Sequence, residues 1–433
     1  METLIIGCGA AGAAAAIMAA ERGDHVTVID RNRKPLKKLG VTGNGRGNLM
    51  NSSGLRYYGD AAFAGQVLEN VPPKEVAAFL EDCGICLEEE DEGRVYPAAN
   101  LASVAVDGLL FRMERLGIRI LTCAEAEAVT SGKNGFTVAV SVTEYAPDQV
   151  KVSGKVKKGE AVARHRQTLH ADRVIVAAGG AAAPAHGTDG TAYALLTALG
   201  HRLHQPRPAL CALLTDARPL KGLSGKRVRA DLRLMGAHGE ILHESSGEAL
   251  FADDGISGIA AMQLARFVQP GCTLHMDLRP ALMGTADTDA AAWLTRRRQR
   301  LTEQTAGACG RTGIIPVAAL FTGCAHPSLQ TALMRMAGLS PDEAATDGAI
   351  DRLTAAIVDF SLPVTGTRDF DQAQVTAGGL DTAQFDPATM ESRLIPGLYV
   401  AGEMLDVDGD CGGYNLMFAF AGGLLAGRAA SSR

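Results

Sequence analysis

The chain opens on a pattern that few folds can satisfy. Residues 3–12 read TLIIGCGAAG and residues 26–31 read VTVIDR. The text describes a short apolar strand, a turn with glycines at Gly7, Gly9 and Gly12, an alanine-rich helix beginning at Ala10 and Ala11, and a second strand ending in Asp30. This is the spacing of a βαβ unit that holds a dinucleotide: Gly7 permits the tight turn, Gly9 lets the backbone approach a pyrophosphate, and Gly12 lets helix and strand pack closely. The helix N-terminus offers unpaired N–H groups and a positive dipole end to phosphates. Asp30 follows Gly12 by 18 residues. An acid there accepts hydrogen bonds from ribose hydroxyls and disfavours a 2′-phosphate, which selects NAD or FAD over NADP.

The remaining bounds are broad. A length of 433 residues suggests two or three domains, and 47% hydrophobic residues supply a sizeable core. Net charge is −6, so neither nucleic acid nor an anionic membrane is expected as a partner. No apolar run reaches membrane-spanning length. The apolar N-terminus is broken by glycines and lacks a basic leader, so it does not read as a signal peptide. Nine scattered cysteines fit a reducing cytoplasm rather than a disulfide framework. Cys83-Gly-Ile-Cys86 resembles a redox pair, but EVAAFLEDCG before it reads as an amphipathic helix stopped by Gly84, with Ile85 opening a strand. Cys309 and Cys324 lack paired spacing, and no metal site is expected.

Along the chain, residues 34–51 (KPLKKLGVTGNGRGNLMN) read as a Gly/Asn-rich loop without regular structure, wrapped around a ligand. Residues 73–83 and 102–116 read as helices and 118–122 as a strand of the central sheet. Residues 136–142, 149–155 and 168–178 read as an antiparallel meander that ends in RVIVAAGG. After about residue 204 the character changes. Segments 207–215, 228–235 and 239–243 read as short strands, 256–268 as a helix, and 287–349 as mainly helical with RRRQR (296–300) as a solvated face. Strand-like text returns at 354–378. LYVAGE then reads as a buried strand ending at Gly402 and Glu403, and GGYNLMFAFAGGLLAG as a glycine-punctuated apolar helix. One arrangement accounts for this order: an α/β sheet domain that begins at the N-terminus, is interrupted by an inserted domain, and is completed by the C-terminus. The expected boundaries are 1–203 and 371–433 for the discontinuous sheet domain, and 204–370 for the insert.

Two observations favour FAD. The chain has only one GxGxxG, so a dedicated NAD(P)H domain is not expected. The C-terminal strand–glycine–acid–loop–helix unit supplies a second helix N-terminus near Gly412–Asn415, suited to stabilise negative charge on a reduced flavin by about 0.3–1 kcal/mol, or up to ~2 when partly buried.

These residues resemble the bacterial HI0933-like flavoproteins, also described as aminoacetone-oxidase-like or BaiN-like FAD-dependent oxidoreductases. The resemblance covers nearly the whole chain and implies an α/β, Rossmann-like FAD-binding domain of the two-dinucleotide-binding flavoprotein type, interrupted by an inserted β-barrel with a helical subdomain at about 253–348. It rests on GCGAAG, KKLGVTGNGRGNLMN (37–51), VIVAAGGAAAPAHGTDG (174–190), GISGIAAMQLAR (255–266), VTAGGL (375–380) and ESRLIPGLYVAGEMLDVDGDCGGYNLMFAFAGG (391–423). It implies cofactor contacts at Gly7, Gly9, Ala10, Ala11 and Gly12 for the pyrophosphate, and at Asp30 and Arg31 for the adenosine ribose. Lys38, Gly43, Gly45, Arg46 and Asn48 would form the flavin loop, with Ala126 on the adenine side. Ala178, Gly179, Gly402, Glu403, Gly412, Gly413, Tyr414, Asn415 and Leu416 complete the implied set. Two departures stand out: Gly47 replaces the cysteine usual after the loop arginine, and Ala183-Pro184 replaces a usual Tyr-Pro.

The expected reaction is hydride transfer between flavin N5 and a small organic substrate, most readily reduction of activated C=C bonds in a steroid- or bile-acid-like molecule, with NAD(P)H as a transient electron donor. Arg46, His186, Tyr414 and Asn415 are the candidate catalytic residues; for Tyr414 a flavin-packing ring is the stronger reading. Two alternatives share the motifs: an amine or aminoketone oxidase using O₂, and an RNA-modifying flavoprotein, against which the negative charge counts.

Overall fold

The computed structural model describes residues 1–150, 156–157, 159–284, 289–309 and 314–431. The first strand, β1 (Glu2–Ile6), is buried over four of its five residues. It leads into α1 (Ala10–Glu21), in which alanine occupies eight of twelve positions. Alanine is the best intrinsic helix former, and its short side chain lets two neighbours approach at once: β1 beneath and a C-terminal helix alongside. β2 (His25–Ile29) returns parallel to β1, Thr3 opposite Val26.

The next segment departs from expectation. Residues 39–45 form a short 3₁₀ helix rather than a wholly irregular loop, interrupted at Thr42–Asn44 where the backbone leaves helical geometry. Helices α2 (Ala61–Asn70), α3 (Pro73–Asp82) and α4 (Ala102–Arg115) follow. Asp60 caps α2 by accepting from the Phe63 N–H. Cys83 forms the C-cap of α3, and its thiol is pushed up to about 12 by burial, a poor redox nucleophile. Ile85 is buried, but the strand after it begins only at Leu87.

β3 (Arg119–Leu121) pairs parallel with β2. β4 (Ala124–Gly132), β5 (Gly135–Tyr145) and β6 (Ala161–Ala171) make the antiparallel meander. It is longer than the sequence suggests, and 151–155 of the expected strand 149–155 lie outside the described residues. β7 (Arg173–Val176) returns beside β1. With β16 (Leu398–Val400), the parallel sheet has the order β16-β7-β1-β2-β3.

The chain divides into two compact units, Met1–Arg207 with Gln374–Arg433, and Pro208–Ala373. It passes between them at β8 (Leu203–Ala209) and just before β15 (Val375–Leu380), and these two strands pair with each other. The second unit is a closed six-stranded barrel built from β9 (Leu213–Thr215), β10 (Arg227–Met235), β11 (Ile241–Phe251), β12 (Gly255–Ser257), β13 (Thr273–Asp277) and β14 (Phe360–Thr367). Besides two short helices at Ile259–Leu264 and Arg279–Met283, it carries α5 (Ala290–Cys309), α6 (Pro327–Met336) and α7 (Asp347–Val358).

Three expectations change here. The helix read at 256–268 starts only at Ile259, because 255–257 belong to a barrel strand; β12 and β13 thus fall inside the stretch expected to be helical. Residues 354–358 close α7 rather than open a strand. Ala349, Ile350, Leu353, Ala356 and Ile357 are its buried positions, a helical period that the β-branched residues nearby obscure. The RRRQR run is not wholly solvated. Arg297 donates to the carbonyls of Leu320 and Thr322, and Arg298 to the Ala345 carbonyl and, at 2.8 Å, to Asp347. Of that helical stretch, 287–288 and 310–313 lie outside the described residues.

The last helix, α8 (Tyr414–Ala430), is buried along most of its length. An ideal Cβ at Gly423 would stand 2.3 Å from the Ala11 carbonyl oxygen, and one at Gly427 would stand 2.4 Å from that of Ala15. The two glycines therefore let α8 lie directly on the α1 backbone. The register, 423 beside 11 and 427 beside 15, makes the helices run in the same direction.

Candidate functional site

The glycines of the first turn are used for contact. A Cβ at Gly12 would lie 1.9 Å from the Gly7 carbonyl oxygen, and one at Gly7 would lie 2.5 Å from that of Ala177, at the end of β7. Gly9 is different: a Cβ there meets nothing within 4 Å. Gly9 is also the N-cap of α1, and no side chain caps that helix. The first N–H groups of α1, from Ala10 onward, are thus without a side-chain cap, with the positive end of the helix dipole behind them.

Asp30 ends β2 where the motif places it. It is buried, and its carboxylate accepts from the backbone N–H of Cys8 (2.8 Å) and of Asn32 (2.7 Å). The acid therefore stiffens the glycine turn as well as marking the strand end. Burial, and then the Asp30 charge, push the Cys8 thiol upward, so it stays protonated. Arg31 reaches out to Asp189 at 2.6 Å and Glu125 at 3.5 Å. Ala126 is the next residue on β4, at a β-bulge.

A second cluster closes the other side of the turn. Lys38 Nζ donates to Glu403 Oε2 at 2.8 Å and to the Ala182 carbonyl at 3.2 Å. Glu403 follows Gly402, whose Cβ would touch the Ala11 methyl at 3.0 Å, so this ion pair borders the first turn of α1. Glu403 Oε1 accepts from both the N–H and the hydroxyl of Thr376, each at 2.9 Å. Ala178 lies against Gly7, and a Cβ on Gly179 would meet Thr188 Cγ2 at 2.6 Å.

The N-terminus of α8 forms a third group. Gly413 is its N-cap with φ +100°, and no side chain caps the helix. A Cβ there would lie 2.3 Å from the Met50 carbonyl oxygen and 2.7 Å from Asn48 Oδ1, so only glycine fits both the space and the left-handed backbone. Asn48 Oδ1 is itself buried with no hydrogen-bond partner among the described residues. The turn is fastened from several sides: Asn51 Nδ2 donates to the Gly412 carbonyl at 2.9 Å, and the Tyr57 hydroxyl donates to the Tyr414 carbonyl at 2.9 Å. Leu416 lies in the first turn of the helix, and Gly43 touches Asn48 from the 39–45 segment, with Gly45 two residues further on.

The four candidate catalytic residues fare differently. Asn415 holds Gly409 at both ends of its amide, accepting from the N–H at 2.8 Å and donating to the carbonyl at 2.9 Å. Its polar atoms hold the loop. Tyr414 is buried, edge-on to Tyr57, with its hydroxyl 3.3 Å from Ser53 Oγ. Arg46 lies over the Tyr96 ring and donates to Asn100 and Glu90. His186 ends a 3₁₀ turn between Ala183 and Gly187, both left-handed, and its Nδ1 is buried without a partner among the described residues. Of the four it alone keeps a ring nitrogen uncommitted. Gly47, the departure from the resembled family's usual cysteine, has φ +78° and backs onto Ala102, 3.0 Å from a would-be Cβ.

Register fixes the spacing of the two helix N-termini. α8 begins eight residues further N-terminal, relative to the 11/423 contact, than α1 does. At 1.5 Å per residue the two uncapped N-termini are offset by about 12 Å along the helices' shared direction. Thr376 and Asn51 were not singled out in the sequence. Thr376 lies within VTAGGL, but its hydroxyl works on residues nearly two hundred positions away.

The family model described as the HI0933-like protein Rossmann domain matches residues 1–429. The chain is 32% identical to a 3-dehydro-bile acid delta(4,6)-reductase of Clostridium scindens, over 99% of this chain and 98% of that protein. It is 24% identical to a ribosomal RNA dihydrouridine synthase of Escherichia coli, over 97% and 95%, and 26% identical to one of Haemophilus influenzae, over 97% and 96%.

Proposed function

The chain belongs to the HI0933-like Rossmann family and is an FAD-dependent oxidoreductase, and on that footing we propose that it reduces a carbon–carbon double bond conjugated to a carbonyl, in a small apolar molecule of the steroid-acid type. The observation that carries the cofactor assignment is the orphaned Asn48 acceptor beside the uncapped N-terminus of α8. One acceptor flanked by helix N–H donors complements an edge where an N–H sits between two carbonyls, as on the flavin pyrimidine ring. The open N-terminus of α1 suits a diphosphate. The offset of the two helix ends suits a ligand that is anionic in the middle and electron-accepting at one end.

Under this reading Ala10 to Gly12 hold the diphosphate, Asp30 and Arg31 border the adenosine ribose, and Lys38 and Glu403 border the chain between diphosphate and ring. Asn48 and Gly413–Leu416 hold the pyrimidine edge. Gly43 and Gly45 support the Asn48 loop, and Ala126, Ala178, Gly179, Gly402 and Gly412 line the remaining contacts. When bound, FAD supplies the hydride; NAD(P)H is the proposed source of its electrons. The positive end of α8 favours negative charge at the ring edge it faces, worth about 0.3–1 kcal/mol. Tyr414 and Asn415 hold that helix end in place. Reduction of a conjugated double bond also needs a proton at the α-carbon, and His186, with its uncommitted ring nitrogen, is the residue we assign to it.

The substrate class draws on the relatives. The names of the bile-acid reductase and the two dihydrouridine synthases each describe adding two hydrogens across a double bond conjugated to a carbonyl. Of these three relatives the bile-acid enzyme shares the most identity with the chain, and net charge is −6, which favours the small molecule over RNA. The near-full-length match to the two synthases supports RNA uridine as the second reading.

The test is anaerobic stopped-flow. Purified protein is reduced and mixed separately with a 4-en-3-one steroid, with a uridine-containing ribosomal RNA fragment, and with O₂. Rapid flavin reoxidation by the enone, with a product two mass units heavier, is the expected result. Reoxidation by the RNA alone would replace the first reading with the second; fast turnover with O₂ and with neither acceptor would remove both.

A further inference from the structure

Thr376 is fully buried on β15, the strand that follows the return of the chain from the barrel unit. Its hydroxyl accepts from the backbone N–H of Ala181 (2.8 Å) and Ala182 (3.1 Å) and donates to Glu403 Oε1 (2.9 Å). Glu403 Oε2 takes Lys38, and Lys38 donates back to the Ala182 carbonyl. The contacts form a closed ring: Ala182 N–H to Thr376, Thr376 to Glu403, Lys38 to Glu403, and Lys38 to Ala182 C=O. A Cβ on Gly180 would fall 2.3 Å from Thr376 Oγ and 2.9 Å from Glu403 Oε1, so the segment passes against the ring with no room to spare. The same segment continues into the turn that ends in His186, and Lys37 donates to the Ala185 carbonyl.

We propose that Thr376 is a positioning residue: its hydroxyl sets Glu403 and the 181–186 segment together, so that the cofactor-side carboxylate and the His186 turn adopt one arrangement. A threonine hydroxyl is the smallest group that both accepts and donates, and this site uses two acceptor directions and one donor direction. Valine matches its shape and abolishes all three bonds; serine keeps them and loses only the methyl. The flavin arm of the test rests on the FAD reading above, and the exchange arm does not.

Two readouts test it: the FAD dissociation constant of deflavinated protein followed by flavin fluorescence, and backbone hydrogen exchange of the 177–190 segment. Thr376→Val is expected to weaken FAD binding at least tenfold and to speed exchange at Ala181 and Ala182 at least tenfold. Thr376→Ser is expected to stay within threefold of the wild type in both. Wild-type affinity and protection in Thr376→Val would overturn the proposal, as would a Thr376→Ser variant as impaired as the valine, because the methyl and not the hydroxyl would then be responsible. Should Thr376→Val fail to fold, Glu403→Leu, which removes both acceptor oxygens, and Thr376→Ser decide by exchange. Loosened 181–182 amides in the leucine variant with a protected serine variant support the ring, and unchanged amides in the leucine variant overturn it. Wild-type protein that takes up no FAD would sink the cofactor reading while the exchange arm still judged Thr376.

Discussion

Gly423→Ala, on the α1–α8 contact, is the perturbation whose outcome the structure constrains most tightly. The new methyl would sit 2.3 Å from the Ala11 carbonyl oxygen, 3.0 Å from its carbon, and 3.0 Å from the Ala14 methyl. The obstruction is the backbone of a buried helix, so no side chain can swing aside, and one helix must retreat by about 1 Å to reach ordinary van der Waals distance. Overpacking of this kind costs about 1–3 kcal/mol, with rigid surroundings at the upper end. Replacing glycine by alanine inside a helix returns about 1 kcal/mol. The net is a loss of about 1–2 kcal/mol, which for a unit of this size lowers Tm by roughly 3–6 °C. The control is Gly65→Ala on α2, where a Cβ meets nothing within 4 Å. There only the propensity gain operates, and Tm should rise by roughly 1–3 °C. Differential scanning fluorimetry of the two apoproteins provides the comparison. If Gly423→Ala stabilised the protein as much as Gly65→Ala did, the helices would not be in backbone contact, and the 12 Å offset built on that register would fall with it.

Gly9→Val should leave the apoprotein Tm within about 1 °C, because its extended backbone accepts a β-branched residue and its Cβ points into open space, while FAD affinity measured by fluorescence falls more than tenfold. Asn415→Ala should cost about 1–3 kcal/mol by releasing both bonds to Gly409, visible as a lower Tm in the apoprotein; a catalytic role would instead depress kcat with Tm unchanged. Burial, only partly opposed by the Leu196 carbonyl, holds the His201 imidazole below its ordinary pKa. The unfolded chain therefore binds its proton first as pH falls below about 6.5. This contribution is fully present above that pH and declines as the solution becomes more acidic. His201→Gln should flatten that part of the Tm–pH curve between pH 7 and 5, and an unchanged slope would exclude His201 as its source.

Local chemistry made the two ends of the chain legible. Gly7, Gly9, Gly12 and Asp30 announce their roles through spacing alone, and the buried helix after Gly413 announces itself through composition. What stayed hidden depends on partners far away in sequence. Arg297 and Arg298 look like solvent-facing charge until Leu320, Thr322 and Ala345 offer them carbonyls. Asn415 looks like a catalytic amide until Gly409 occupies both its ends. Thr376 has no local signature, because its ring closes through Ala181 and Ala182 from a distant segment. The helical period of α7 was readable and was masked by its β-branched neighbours.

The pairing of β8 with β15 also bears on how such a protein can change. The chain leaves the Rossmann unit and re-enters it on adjacent strands, so from that unit's standpoint the whole of Pro208–Ala373 is the loop of a hairpin. Substituting, enlarging or trimming that loop alters only the connection between β7 and β16 and leaves the other connections of the parallel sheet untouched. The barrel is in this sense a cassette: a lineage can exchange it wholesale while the glycine turns, the two parallel helices and the Thr376 ring are inherited unchanged.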